Sequence, residues 1–189
     1  TTLLKDGTHG SPKRVDAGIP FLSAQNITNG TLDFEKSNAF IEEDFFQQMH
    51  KQWTPQVEDI LLSIVGTLGK VAIIERDTPR FTFQRSLAIL RVNSDLMIAK
   101  YLKFLLQSSS MQSIITQKAN QTAQAGIYLG ELNKLQVILP PLSEQEKIAD
   151  ILTSLDDQIE GIESKLVQLE SLKKSLMGDL LTGKVRVSV

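Results

Sequence analysis

The sequence predicts an α+β protein: a mixed globular domain over residues 1–142, followed by one long coiled-coil-forming helix and a short tail over residues 143–189. Three observations predict it. Short apolar runs bounded by Gly, Asn and Pro recur through residues 18–92. Amphipathic stretches with helical spacing follow near residue 100. After Pro140 and Pro141, apolar residues recur in two registers seven apart, the pattern of a helix that keeps one narrow stripe toward a partner.

The first of these runs, residues 18–27 (GIPFLSAQNI), reads as a strand entering a turn at Thr28-Asn29-Gly30. Residues 42–51 read as a short helix. Residues 59–65 and 70–75 are apolar strands around Gly66-Thr67-Leu68-Gly69, a tight hairpin, and residues 86–92 form a third buried strand. Ile98, Tyr101, Leu102, Leu105 and Leu106 mark one helix, and a second runs from about 111 to 118. The polar stretch 120–126 (NQTAQAG) is an exposed loop. Residues 134–139 return as a strand before the prolines.

Two prolines rule out helix as far as Pro141. Ser143 then stands as N-cap with Glu146 three residues on, the spacing of a capping box. One register holds Ile148, Leu155, Ile162, Leu169 and Leu176; the other holds Leu152, Ile159, Leu166 and Leu180, with Lys173 between them. A helix from Ser143 to about Leu181 is roughly 58 Å long at about 1.5 Å per residue. That exceeds the width of the preceding domain, so part of it is expected to project and find a partner. A long helix folded back on its own domain would also carry an apolar stripe. The narrowness of this one, its charged flanks (Asp156, Asp157, Glu160, Glu163, Lys165, Glu170, Lys174) and a polar residue at a seam position favour a helix–helix seam. Gly183 supplies the C-cap signal. The alternating tail that follows suits a short strand or a frayed end.

Composition places the chain among soluble globular proteins, with 41% hydrophobic and 22% charged residues. No cysteine is present, which excludes disulfides, thiolate metal sites and cysteine nucleophiles and fits a cytoplasmic setting. No apolar run approaches the ~18 residues of a membrane span, so no membrane partner is expected. The net charge of −2 is unevenly placed: residues 1–142 carry 14 Lys/Arg against 13 Asp/Glu, and residues 143–189 carry 6 against 9. The domain's balance permits a local basic patch for nucleic acid without arguing for one. An opening Thr1-Thr2 without methionine suggests a piece of a longer protein.

Catalytic patterns fail. The spacing of Gly66, Gly69 and Lys70 is too short for a phosphate-binding loop, and a hairpin explains both glycines. His9 and His50 are the only histidines, and no zinc-ligand spacing accompanies them. Asp156 and Asp157 read as charge on a solvated helix flank. Leu139 and Leu142 flank the proline pair where a methyltransferase loop would carry polar and aromatic residues. No enzyme, metal or cofactor is expected.

Several segments together carry a resemblance. They are residues 5–9 (KDGTH) with Pro12, residues 18–22 (GIPFL) with Asn26 and Ile27, residues 59–69 (DILLSIVGTLG), and Gln84-Arg85-Ser86 before a strand. The strongest is 139–149 (LPPLSEQEKIA), with Leu155-Asp156 and the closing 180–185 (LLTGKV). In this order the chain resembles the DNA-specificity subunits of type I restriction–modification systems, over nearly its whole length. The resemblance implies a target-recognition domain that reads one half of a split site on double-stranded DNA, and a helical spacer that packs antiparallel against another such helix. It also implies modification (methyltransferase) subunits as partners, and a restriction subunit reached through the complex. Members carry two domain-plus-helix units and this chain carries one, so it looks like a half-subunit or a fragment of a longer subunit, expected to form a homodimer or to pair with a second recognition unit. The competing reading is a coiled-coil scaffold without DNA readout.

Candidate DNA-contacting residues are the polar and basic ones in predicted loops: Lys13, Arg14, Lys70, Arg80, Gln84 and Arg85, with Gln121 and Gln124 in the polar loop. Arginine pairs bidentately with guanine and glutamine with adenine, while lysine more often holds phosphate. Asp6 and His9 are assigned instead to fixing a local turn. The seam residues expected to meet a partner are Ile148, Leu152, Leu155, Ile159, Ile162, Leu166, Leu169 and Leu176.

Overall fold

A computed structural model describes residues 1–37, 39–120 and 126–187. The described residues form ten strands and five α-helices: β1 (Leu3–Asp6), β2 (Arg14–Val15), β3 (Ile19–Leu22), β4 (Ile27–Thr28), β5 (Thr31–Leu32), β6 (Phe40–Ile41), α1 (Glu43–Met49), β7 (Ile60–Ser63), β8 (Val71–Ile73), β9 (Thr82–Phe83), β10 (Leu87–Arg91), α2 (Ala99–Gln107), α3 (Ser109–Asn120), α4 (Leu129–Leu132) and α5 (Leu142–Leu181). The chain divides into two compact units, residues 1–146 and 147–189. The α+β class predicted from sequence is the one observed.

The first unit is built on an antiparallel sheet in the order β1-β10-β7-β8. Its two middle strands are apolar and buried on both faces, which explains their unbroken ILLS and LAIL runs. Ile60, Leu62, Ala88 and Leu90 pack on one side under α2 and α3, through Leu102, Leu106, Met111 and Ile115. Leu61, Ala72, Leu87 and Ile89 pack on the other side against Leu22, Ile27, Phe81 and Phe83. At about 25 cal/mol per Å² of buried apolar surface, this two-sided core is the main term holding the unit together. A smaller sheet, β2-β6-β3-β9, pairs β3 with β9 in parallel.

Local chemistry fixes the turns. Asn29 and Gly30 both have positive φ (49° and 80°), the two-residue turn that joins β4 to β5 with the right twist. Gly7 admits no Cβ, because the Phe83 and Gln84 carbonyls would meet it. Asp59, 1% exposed at its side chain, receives Arg91 on both oxygens at 2.7 and 2.8 Å, while the Gln56 amide donates to it at 2.8 Å. That clip ties the end of β10 to the entry of β7, and the Asp59 bond holds the Arg91 guanidinium above its usual range.

Four details differ from the sequence expectations. Residues 18–27 are not one strand: after β3, Ser23 caps a short 3-10 turn (Ala24–Asn26), with the Asn26 side chain accepting from the Ser23 amide at 2.9 Å. Residues 135–140 join no sheet. Leu135 and Val137 face the first core while Ile138 and Leu139 stay exposed, so the alternation is real but serves packing without a strand partner. The long helix begins at Leu142, which places Ser143 inside the first turn; the Pro141 carbonyl accepts from the Glu144 and Gln145 amides at 2.9 and 3.1 Å. The chain after Leu181 turns through Gly183 (φ 75°), and no strand follows among the described residues.

Candidate nucleic-acid interface

Segments far apart in the sequence meet on one side of the first unit. The Asp6-Gly7-Thr8-His9 stretch runs beside Gln84-Arg85-Ser86: the Thr8 amide donates to Phe83 O (3.2 Å), the Arg85 amide to Thr8 O (3.1 Å) and the Gly7 amide to Leu87 O (3.1 Å). The close approach at Gly7 makes this possible. Asp6 in turn holds the His9 ring at 2.7 Å, which closes the local turn. The Gln84 amide donates to Leu22 O at 2.9 Å, bringing β3 to the same place.

Between these segments and the β7–β8 hairpin lies a groove of about 460 Å³. Its polar lining comes from Arg14, Gln25, Asn26, Lys36, Thr67 and Gln84, with Ser86 at its floor. The Ser86 hydroxyl is buried with no hydrogen-bond partner among the described residues. No Asp or Glu lines the groove among the described residues, although the chain as a whole is acidic. Arg14, amide side chains and hydroxyls form a surface that can meet an anion and read donors and acceptors, while Lys36 is already paired with Asp33 at 2.8 Å. Gly66 lines the groove at the hairpin turn with φ 79°, a backbone conformation that favours glycine.

The predicted contact residues separate by environment. Arg14 and Gln84 line the groove, and Arg85 stands exposed on the adjoining turn. Lys70 lies at the other end of the hairpin, where its Nζ donates to Ile27 O at 2.9 Å. Lys13 pairs with Glu42 at 3.3 Å, and Arg80 pairs with Glu43 and lies over the Phe46 ring at 4.8 Å. Those two cations are neutralised by the acidic entry of α1. The Gln47 amide and then Arg80 hold the Glu43 carboxyl below its usual range. Gln121 and Gln124 lie outside the described residues. Sequence reasoning missed Gln25, Lys36 and Thr67, since an exposed loop residue carries no periodicity. Asn26 and Ser86 were marked only as parts of motifs.

His50 is a core residue. Its Nδ1 meets Trp53 O and its Nε2 meets Thr82 Oγ1, each at 3.0 Å, and burial pushes its pKa down. No group of three or more His, Cys, Asp or Glu side chains suited to a metal occurs among the described residues.

The second unit presents most of the predicted seam. Leu155, Ile159, Ile162, Leu166, Leu169 and Leu176 are 47–68% exposed, while Ile148 and Leu152 are partly buried. Leu172 and Met177 widen the apolar face near the C-terminal end. No described helix is long and apolar enough to cross a membrane.

Comparison with known proteins agrees with this anatomy. The type I restriction modification DNA specificity domain matches residues 6–171. The type I restriction enzyme MjaVIII specificity subunit of Methanocaldococcus jannaschii is 30% identical over 175 residues, covering 90% of this chain and 40% of the relative. The EcoBI specificity subunit of Escherichia coli is 24% identical over 172 residues, covering 89% and 36%. A chain from a structure of a type I R-M system superposes with a TM-score of 0.65 at 18% identity, covering 92% of this chain and 40% of that one. The type I restriction-modification S subunit of M. genitalium superposes at 0.59 and 17%, covering 93% and 42%. The chain therefore spans less than half the length of the curated relatives it matches. All but the first five residues of its first unit and most of its long helix lie inside the matched domain, and the chain belongs to the type I restriction-modification DNA specificity family.

Proposed function

We propose that this chain is a sequence-recognition half-unit, in which residues 1–142 read one half of a split site on duplex DNA and residues 143–189 form the spacer and pairing arm. The observation that carries the reading is the groove with no Asp or Glu among its described lining residues, which lies within the residues matched by the family. Arg14 and Gln84 face base edges there, and Arg85 extends the contact on the neighbouring turn. Lys13 and Arg80, already neutralised, contribute less. The chain recognises DNA without acting on it: methyl transfer and cleavage belong to modification and restriction subunits recruited by the assembly.

We further propose that two copies pair through α5 in antiparallel orientation. Within α5, residues 143–163 hold seven carboxylates and one lysine, a net of −6, whereas residues 164–181 hold three lysines and two carboxylates, a net of +1. Antiparallel pairing lays the acidic half on the basic half and opposes the helix dipoles, while parallel pairing stacks like charge on like. A two-fold dimer would carry two recognition units on inverted half-sites. Light scattering on the purified chain, alone and with a modification subunit and duplex DNA, tests this. The proposal expects a mass of twice 21.0 kDa that recruits partners and then duplex. A dimer that recruits partners but leaves DNA untouched would favour a scaffold.

A further inference from the structure

We propose that Gln25 is a base-reading residue whose carboxamide meets the adenine of one A·T pair in the major groove, and that its neighbour Asn26 is the residue that positions it; this rests on the DNA-recognition reading above. The two amides look equivalent in sequence, and the fold gives them opposite roles. Ala24, Asn26 and Ile27 are buried, at 6%, 4% and 2% exposed, whereas Gln25 between them is exposed. Asn26 uses both ends of its side chain on the protein itself. Its Oδ1 accepts from the Ser23 amide at 2.9 Å and from the Ser23 hydroxyl at 3.3 Å, and its Nδ2 donates to Asp33 O at 3.1 Å. Its backbone is tied as well, the amide donating to Ser23 O at 3.0 Å and the carbonyl accepting from the Asp33 amide at 2.8 Å. Asn26 thus lines the groove as a brace, already engaged at Oδ1 and Nδ2.

Gln25 is the reverse case. Its backbone amide donates to the Ser23 hydroxyl at 3.4 Å, and its side chain has no hydrogen bond among the described residues. A carboxamide offers one donor and one acceptor side by side. Adenine presents the complement, the N7 acceptor and the N6 amino donor, while guanine presents two acceptors on that edge. The fold brings this free amide to the right place. β3 and β9 run parallel with Leu22 beside Phe83, so the chain leaves both strands at the same end. Gln25 enters the groove from one strand end and Gln84 from the other, where the Gln84 amide donates to Leu22 O at 2.9 Å. Bidentate reading discriminates when its support is held within about 0.5 Å. A turn anchored at Ser23 on one side and Asp33 on the other supplies that support.

Binding of the chain, assembled with its modification partners, to its enriched duplex and every single-base variant of it tests the assignment. Wild type is expected to show one A·T pair whose replacement weakens binding by roughly 5- to 150-fold, and Gln25→Ala to erase that preference while the other positions keep theirs. Gln25→Arg, which presents paired donors, is expected to move the preference to G·C. Asn26→Ala is expected to flatten the same position. The double variant should be no flatter there than Gln25→Ala, a coupling that loss of stability does not produce. Unchanged preference at every position in Gln25→Ala, with wild type discriminating normally, would overturn the assignment and leave DNA recognition intact. A loss equal across all sequences would overturn it too, because that is the mark of a phosphate contact. Asn26→Ala matching wild type would remove the positioning role. A wild-type assembly that binds no duplex, or all duplexes alike, would remove the recognition reading itself and Gln25 with it.

Discussion

Gln145, fully buried in the first turn of α5, donates through Nε2 to the Leu96 carbonyl at 2.9 Å. The same amide group donates to Pro140 O at 2.8 Å, and its Oε1 accepts from the Ile98 amide at 2.9 Å. One side chain thus stitches the entry of α2 to the entry of α5, inside the LPPLSEQEKIA stretch that carries the resemblance most strongly. The expected result of Gln145→Ala is a loss of about 2–3 kcal/mol in denaturant unfolding, because buried backbone groups are left unpaired. Gln145→Glu is expected to fare little better, since a carboxylate cannot donate to Leu96 and Pro140.

Arg91 and Asp59 form the second clip, and here the sign of the substitution matters. Arg91→Ala strands a carboxylate that is 1% exposed and is expected to cost about 3–5 kcal/mol. Replacing both partners, Arg91→Met with Asp59→Asn, is expected to cost clearly less than the single change. A double-mutant cycle in urea reads the difference.

Glu131 receives Lys118 and Lys134 at 2.8 and 2.7 Å, and these bonds, Lys118 first, bring its pKa from 4.5 down to about 2. A depressed carboxylate favours the fold above its unfolded value, and that contribution fades as pH falls from 4.5 toward about 2. Carboxyl titration by NMR should find Glu131 protonating only near pH 2, and Lys118→Met should raise its midpoint. His50 works in the other direction of charge: burial favours its neutral form, so its contribution is present above the ordinary histidine pKa and declines as pH drops through and below 6.5. Thermal unfolding between pH 7 and 5 should show a slope that His50→Gln flattens.

Much of the architecture was legible in the sequence because it rests on periodicity and turn chemistry. The ILLS and LAIL runs, the Asn29-Gly30 and Gly66–Gly69 turns and the heptad stripe each announce one local structure. The failures have physical causes. Residues 135–139 alternate as a strand does, yet the Tyr101 hydroxyl donates to the Ile138 carbonyl where a ladder partner would stand. Ser143 has a capping residue's chemistry, but the helix starts at Leu142 on the Pro141 carbonyl. The groove was only partly legible. Arg14 and Arg80 look alike in sequence, and only the fold sets Glu43 against one of them.

That contrast predicts a split among the arginines. Arg14→Ala is expected to lower DNA affinity by about 1–3 kcal/mol and to relax sequence preference at one position. Arg80→Ala should change affinity little and stability modestly, through the loss of its contacts to Glu43 and Phe46. Competition binding with single-base variants of the site separates the two.

Selection of bound sequences from a randomised duplex pool, using the chain assembled with its modification subunits, tests sequence recognition most directly. The account predicts enrichment of one split sequence with inverted half-sites, lost when Arg14 and Gln84 are both changed to alanine. An assembly that forms and binds duplex but enriches no sequence would contradict it.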